Sequence, residues 1–212
     1  MASSSSSVSG PIAVESQPAD NPLDPILKFL VRRRILLSAI VFAALVAKHV
    51  IYGFKPHDLI SLSDPLGIVG GLLVVAGLAI RSWSAGILKK NAKLTTTGPY
   101  RLIRNPLYAG SFLMMIGFCS LLNNPLDLWL ILGPIAILYV VKIRQEERLL
   151  AKLFPDEWPD YARSTPRLLP WRVRFDLGSD WRLSQWMRSR EYQALGAAAV
   201  ALVALKVWQT YG

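Results

Sequence analysis

Apolar residues fall into five long blocks along this chain, at positions 35–52, 65–83, 107–122, 126–141 and 194–208, with polar and charged segments between them. A block of about 18 residues at about 1.5 Å per residue spans about 27 Å as a helix, close to the apolar thickness of a bilayer. Pro65 suits the first position of a helix, where a missing N–H costs nothing. Gly67, Gly71 and Gly77 permit close approach by a second helix. The turn Asn123-Asn124-Pro125 is too short for anything but a reversal, so the third and fourth blocks form an antiparallel hairpin. Lys48 and His49, near the far end of the first block, are expected to snorkel towards the interface. The last block, of about 15 residues, is short for a crossing. The pattern predicts an all-α fold: a polytopic membrane helix bundle with four or five transmembrane helices and cytosolic helical segments.

The polar segments divide the chain. Residues 1–24, rich in Ser, Pro and Ala, read as a disordered tail, without the charged start and adjoining apolar stretch of a signal peptide. Residues 25–64 hold the first transmembrane helix and its loop, 65–170 the core with its hairpin, and 171–212 an interfacial segment and a C-terminal apolar helix. Composition agrees, with 52% hydrophobic residues and a mean hydropathy of +0.34. The net charge of +10 would suit nucleic acid, but its placement points elsewhere. With the N-terminus, the 81–106 loop and the 142–193 segment on one side, 21 of the 24 Lys and Arg share that side. The positive-inside rule makes it cytosolic. Trp171, Phe175, Trp181 and Trp186 are interleaved with Arg172, Arg174, Arg182, Arg188 and Arg190. Such a mixture can bind single strands; beside membrane spans it reads as Trp anchors and Arg on anionic headgroups. Membrane lipids, and not nucleic acid, are the expected partners. Cys119 has no second cysteine for an intrachain disulfide, and His49 and His57 have no neighbouring ligand set, so no metal site is expected.

Two of the polar segments flank the hairpin and hold its chemistry. The first includes Gly98-Pro99-Tyr100, a turn, and Arg104-Asn105-Pro106, which reads as an N-cap and first-turn proline for the third block. A helix start offers unpaired N–H groups and a positive dipole end to an anion. Arg104 adds a planar donor fork. Tyr100 and Tyr108 add aromatic faces and hydroxyls, and Gly110 leaves room for a ligand or a backbone. The second segment continues the fourth block as a helix through Arg144, Glu146, Glu147 and Arg148. Adjacent carboxylates on a helix point about 100° apart, so one faces the bundle, where it accepts from a ribose or an ammonium, while the other pairs with Arg144 or Arg148. Singly, each piece is ordinary: a positive anchor, a solvated helix end, a cap. Antiparallel pairing, however, puts Arg104-Asn105-Pro106 and Glu146-Glu147 at the same membrane level.

Together these residues resemble the isoprenylcysteine carboxyl methyltransferase and phospholipid methyltransferase superfamily. The shared pattern is met by Gly98, Tyr100, Arg104, Asn105, Pro106, Tyr108, Gly110, Glu146, Glu147, Leu150, Phe154, Tyr161, Pro166 and Arg167, over about residues 66–170. Asn105 stands where the carboxyl methyltransferases proper have His, as in many bacterial members, and Trp158 stands where a Tyr is usual. The resemblance implies an integral, multi-pass membrane methyltransferase with its active site facing the cytosol. S-adenosyl-L-methionine would bind between the hairpin and the cytosolic segment after it. Tyr100, Arg104, Asn105, Pro106, Tyr108, Gly110, Glu146 and Glu147 are then the candidate cofactor residues. Arg144, Glu147 and Arg148 are the candidate catalytic residues, with Arg144 or Arg148 either orienting an acceptor anion by charge-assisted hydrogen bonds or binding only lipid phosphates. The methyl acceptor would be lipophilic, isoprenylcysteine carboxylate-like or phospholipid-like, and would enter from the bilayer. Methyl transfer from a sulfonium needs alignment and exclusion of water more than a strong base, and the site has no His, so an already ionised acceptor is simplest. An NADPH-dependent sterol-type membrane reductase and a non-enzymatic membrane scaffold are the alternatives.

Overall fold

The computed structural model describes residues 34–89, 92–123, 125–170 and 180–211. The expected tail at 1–24 and the basic and aromatic positions 171–179 lie outside the described residues. Within them every regular element is helical: α1 (Arg34–Tyr52), α2 (Pro65–Ile87), α3 (Pro99–Leu102), α4 (Pro106–Leu121), α5 (Pro125–Leu153), α6 (Trp158–Ser164), α7 (Leu183–Arg188) and α8 (Glu191–Tyr211). By length and composition α2 and α8 are apolar enough to cross a membrane, while α4 and residues 43–52 of α1 form shorter apolar helices.

Local chemistry sets the helix starts. Asp64 caps α2 through Oδ1, which accepts from the Gly67 amide at 3.1 Å, and Pro65 follows in the first turn. The other Asp64 oxygen accepts from the Asp58 amide and the His57 ring, each at 2.8 Å, and so ties the preceding loop to the same cap. Gly98 turns the chain into α3 with φ +58°, a left-handed value that suits glycine. α5 begins at Pro125 and runs past its apolar block to Leu153, so the charged stretch after position 141 is one continuous helix with it.

The principal helix contact is between α2 and α4. Two glycine pairs bring their backbones together: a Cβ on Gly77 would lie 2.5 Å from the Gly110 carbonyl oxygen, and one on Gly117 would lie 2.6 Å from that of Gly70. A spacing of seven residues keeps both members of each pair on one face over two turns. Of the other glycines read as permitting close helix approach, Gly71 nears only the Leu59 side chain, and Gly67 abuts the backbone of Asp58. The α4–α5 hairpin is looser because Tyr108 and Tyr139 stand between its helices, ring centroids 5.4 Å apart and edge to face. These tyrosines join Leu45, Leu121, Leu122, Ile135, Ile143 and Leu205 in a core drawn from α1, α4, α5 and α8.

Away from that core the apolar pattern is inverted. α2 buries Gly67, Gly70, Val74, Gly77, Ser84 and Ala85, and exposes Leu66, Val69, Leu72 and Val75. Small residues inside and large aliphatic ones outside are what a lipid-facing helix shows. α8 buries only Glu191, Ala198 and Leu205, and exposes Val200, Val203 and Val207. At 21 residues it is longer than the apolar block suggested, and polar partners hold its first residue and a position in its second half. Arg81 pairs with Glu191 at 2.7 Å, and Lys206 pairs with Asp58 at 2.9 Å. The fifteen steps between them cover roughly 22 Å of helix, so α8 runs alongside α2 from one polar level to the other. His49 does not snorkel. It is fully buried, with Nδ1 donating to the Leu45 carbonyl at 2.9 Å and its ring beside Phe54 and Trp208.

Candidate functional site

The sequence placed Asn105 at a helix start and Glu147 on the charged extension of α5, and the fold joins them. Asn105, restricted to extended backbone by Pro106, has φ −126° and begins α4 without a side-chain cap hydrogen bond. Its amide serves the site instead. Nδ2 donates to Glu147 Oε1 at 3.0 Å and, more weakly, to the Arg167 carbonyl at 3.3 Å. The strand-like stretch around Arg104 and Asn105 pairs with the chain after α6 through two backbone bonds, Arg104 N to Pro166 O at 2.8 Å and Asn105 N to Arg167 O at 3.2 Å. That pairing delivers Arg167, whose Nε and Nη2 donate to both oxygens of Glu147 at 2.8–3.2 Å. Arg104 Nε approaches Glu147 Oε1 to 3.6 Å. Its guanidinium lies over the Trp158 ring, 5.7 Å from the centroid, a cation–π contact.

Glu147 is therefore buried and fully engaged, 8% exposed. The same pair holds the Arg167 guanidinium above its already high ordinary pKa, because the bond to Glu147 favours the charged form. Tyr161 donates to the Tyr100 carbonyl at 2.7 Å and locks α6 onto α3. Burial pushes both phenols well above the ordinary tyrosine range, with Tyr161 next to Tyr100 adding to the rise at the latter. Neither can serve as a base near neutral pH. The Tyr100 hydroxyl is buried without a hydrogen-bond partner among the described residues.

An open cavity of about 430 Å³ lies over this arrangement, lined by Arg104, Arg144, Glu147, Arg148, Ala151, Trp158 and Arg167. It thus gathers Arg104, Arg144, Arg148 and the motif residue Arg167 around Glu147, and adds Trp158. Four guanidinium groups face one carboxylate, an excess of three positive charges. Arg144 and Arg148 have no acidic partner among the described residues. Glu146, in contrast, does not line the cavity and pairs with Lys142 at 3.5 Å, not with Arg144 or Arg148 as the sequence suggested. Tyr108 and Gly110 lie on the helix-packing side, Tyr108 in the core and Gly110 against Gly77 and Arg81, while Pro106 is fully buried. The fold does not bring these three to the cavity.

A model of the phospholipid methyltransferase family matches residues 66–157, which hold most of this cavity. A nickel-cobalt-cadmium resistance protein of Alcaligenes xylosoxydans xylosoxydans is 35% identical over 155 residues, covering 72% of this chain and 70% of that one. The chain belongs to the phospholipid methyltransferase family. A cobalt-zinc-cadmium resistance protein of Cupriavidus metallidurans is 33% identical, over 67% of this chain and 66% of that one. A protein-S-isoprenylcysteine O-methyltransferase B of Arabidopsis thaliana is 27% identical over 82 residues, 39% of this chain and 42% of its own. No solved structure matches.

Three residues with a clear structural role were not among the candidate site residues. Arg167 and Trp158, named from the sequence only as motif positions, complete the cavity. Arg81 bonds Glu191 and Ser111 inside the bundle, and its signal was a charge within an apolar block. Among the described residues there is no grouping of three or more His, Cys, Asp or Glu suited to a metal.

Proposed function

We propose that this protein is an integral membrane methyltransferase that uses S-adenosyl-L-methionine and acts on a lipophilic acceptor bearing an anionic group. The observation behind this reading is the cavity's excess of three positive charges, beside a carboxylate that is already saturated. The cofactor fits the residues present. The cavity falls within the about 300–1,000 Å³ usual for small-molecule sites, Trp158 offers an aromatic face, and Arg104 keeps an Nε without a hydrogen bond. Arg104 would hold the cofactor's carboxylate. Glu147 would act by positioning Asn105, Arg104 and Arg167, since its oxygens are engaged.

When bound, the cofactor supplies an electrophilic methyl group; an acceptor lone pair forms the new bond while the S–C electron pair returns to sulfur. An anionic oxygen needs no base for this, which suits a site whose phenols stay protonated. Arg144 and Arg148 would steer the acceptor's anionic group by charge-assisted hydrogen bonds. A sulfonium alone is poorly matched to so cationic a cavity, and an anionic acceptor offsets that repulsion. The orientation follows from charge: α1, α2, α4, the apolar part of α5, and α8 cross the membrane, and the cavity opens to the cytosol.

The test is incubation of the full chain in native membranes with methyl-labelled S-adenosyl-L-methionine, followed by lipid extraction. Label in an anionic lipophilic species, reduced at least tenfold by Arg144→Ala with Arg148→Ala, is the expected result. Binding of NADPH in place of S-adenosylhomocysteine would turn the reading towards a reductase, and binding of neither towards a scaffold.

A further inference from the structure

A second cavity, of about 210 Å³, lies at the C-terminal end of α2 beneath α7, and none of its lining residues belongs to the site above. α7 is fastened there by donors to the last carbonyls of α2. The Arg182 amide bonds Gly86 O at 3.0 Å, Trp181 Nε1 bonds Ser82 O at 3.2 Å and the Ser189 hydroxyl reaches Ala85 O at 3.4 Å. Gln185 adds a bond to Leu88 O. These groups satisfy acceptors that a helix end otherwise leaves open. The Trp181 ring occupies the space that a Cβ on Gly86 would need, 2.0 Å from its Nε1.

Lys89, Arg182 and Arg188 line this cavity against a single acid, Asp180. Among the described residues, no ion pair or side-chain hydrogen bond engages the three cations. Beside them stand apolar side chains turned outwards: Trp181 is 44% exposed, Leu183 60% and Met187 49%. Leu183 and Met187 are one turn apart and share a face. The cavity sits where α2 ends and α8 begins, at one common end of the two helices long enough to cross a membrane. Cations next to outward aromatic and aliphatic residues at that level match a headgroup with its acyl chains alongside.

We propose that this cavity binds the phosphate headgroup of an anionic phospholipid, with Lys89, Arg182 and Arg188 on the phosphate and Trp181, Leu183 and Met187 against the acyl chains. A soluble phosphate would make no use of that apolar margin. The site is independent of the catalytic reading and stands or falls separately from it.

Native mass spectrometry of the full chain tests the assignment, with phosphatidylglycerol or phosphatidylcholine of equal chain length added, and glycerol phosphate as the soluble arm. One phosphatidylglycerol should be retained about tenfold or more over phosphatidylcholine, since each basic residue at an anionic surface contributes appreciably. Lys89→Gln with Arg182→Gln and Arg188→Gln should bring that ratio near one, whereas Lys152→Gln with Arg163→Gln should not change it. Should the triple variant fail to fold, Arg188→Gln alone, at an exposed position, should lower the ratio several-fold. Equal retention of the two lipids by the parent, an unchanged ratio in the variants, or equal retention of glycerol phosphate would overturn the proposal.

Discussion

Without the Glu147 carboxylate, Arg167, Arg104 and Asn105 would face one another with no acceptor between them. Breaking a buried charge pair costs about 3–5 kcal/mol, and the half-exposed Arg167 moves this case to the low end. Glu147→Ala should therefore lower the melting temperature of the detergent-solubilised protein clearly. Arg148→Ala, at an exposed position without an acidic partner among the described residues, should leave stability within about 0.5 kcal/mol and, under the proposed function, weaken acceptor affinity several-fold. An unchanged melting temperature in Glu147→Ala would contradict the bonding described. Of the two adjacent acids, the sequence established only that they diverge. Which one turns inwards depends on the rotation of α5 about its axis, and that is set by the packing of Ile143 and Tyr139 in the core.

At the scale of elements, the α2–α4 contact leaves no room for a methyl group at either glycine pair. Gly77→Ala forces the two backbones apart, at about 1–3 kcal/mol by the usual cost of overpacking. Gly196→Ala, with nothing within 4 Å of the added Cβ, should be neutral or gain about 1 kcal/mol from helix propensity. Comparing the two variants by thermal melting separates packing from propensity. The loop before α2 responds to acid. Asp58 lies below its ordinary value near 3.8, chiefly through the Ile60 amide and then Lys206. At Asp64, burial pulls upwards, but the Asp58 amide, the His57 ring and the Gly67 amide together outweigh it. Depressed native values mean that the unfolded loop takes up protons first. Its stabilisation is thus present above the ordinary carboxylate value and lost as pH falls through the native one. Protection of the Asp58 and Gly67 amides from exchange, relative to the intrinsic rate at each pH, should fall below about pH 4, and Asp64→Asn should shrink that acid step to the share of Asp58.

For the whole molecule, the two polar levels give opposite labelling predictions. In a Cys119→Ala background, a cysteine at Ser164, between the cavity residues Trp158 and Arg167 along the chain, should react only with reagent admitted to the cytosolic side. A cysteine at Ser61, in the loop that Lys206 reaches through Asp58, should react from outside. The same side for both would exclude the proposed crossings. The lipophilic acceptor of the proposed function should also gain from its chain, each CH₂ kept in apolar surroundings contributing about 0.8 kcal/mol. A farnesylated thioether acid should then show far tighter apparent binding than its truncated analogue, with similar turnover at saturation.

The sequence by itself determined the order of the apolar helices, the α4–α5 reversal and the family motifs that surround Asn105 and Glu147. Block length, charge placement and turn residues are local properties, and each reads directly from neighbouring positions. Only the tertiary structure decided that Gly70 rather than Gly71 meets α4 and that His49 is buried rather than snorkelled. It alone brought Arg167 to Glu147, set Arg81 against Glu191 and laid α7 over the end of α2. Each of these depends on how far a helix is rotated about its axis, or on a contact between distant parts of the chain. A hydrophobic pattern specifies a face to within about one residue, or 100°, and closure of the bundle chooses the rest.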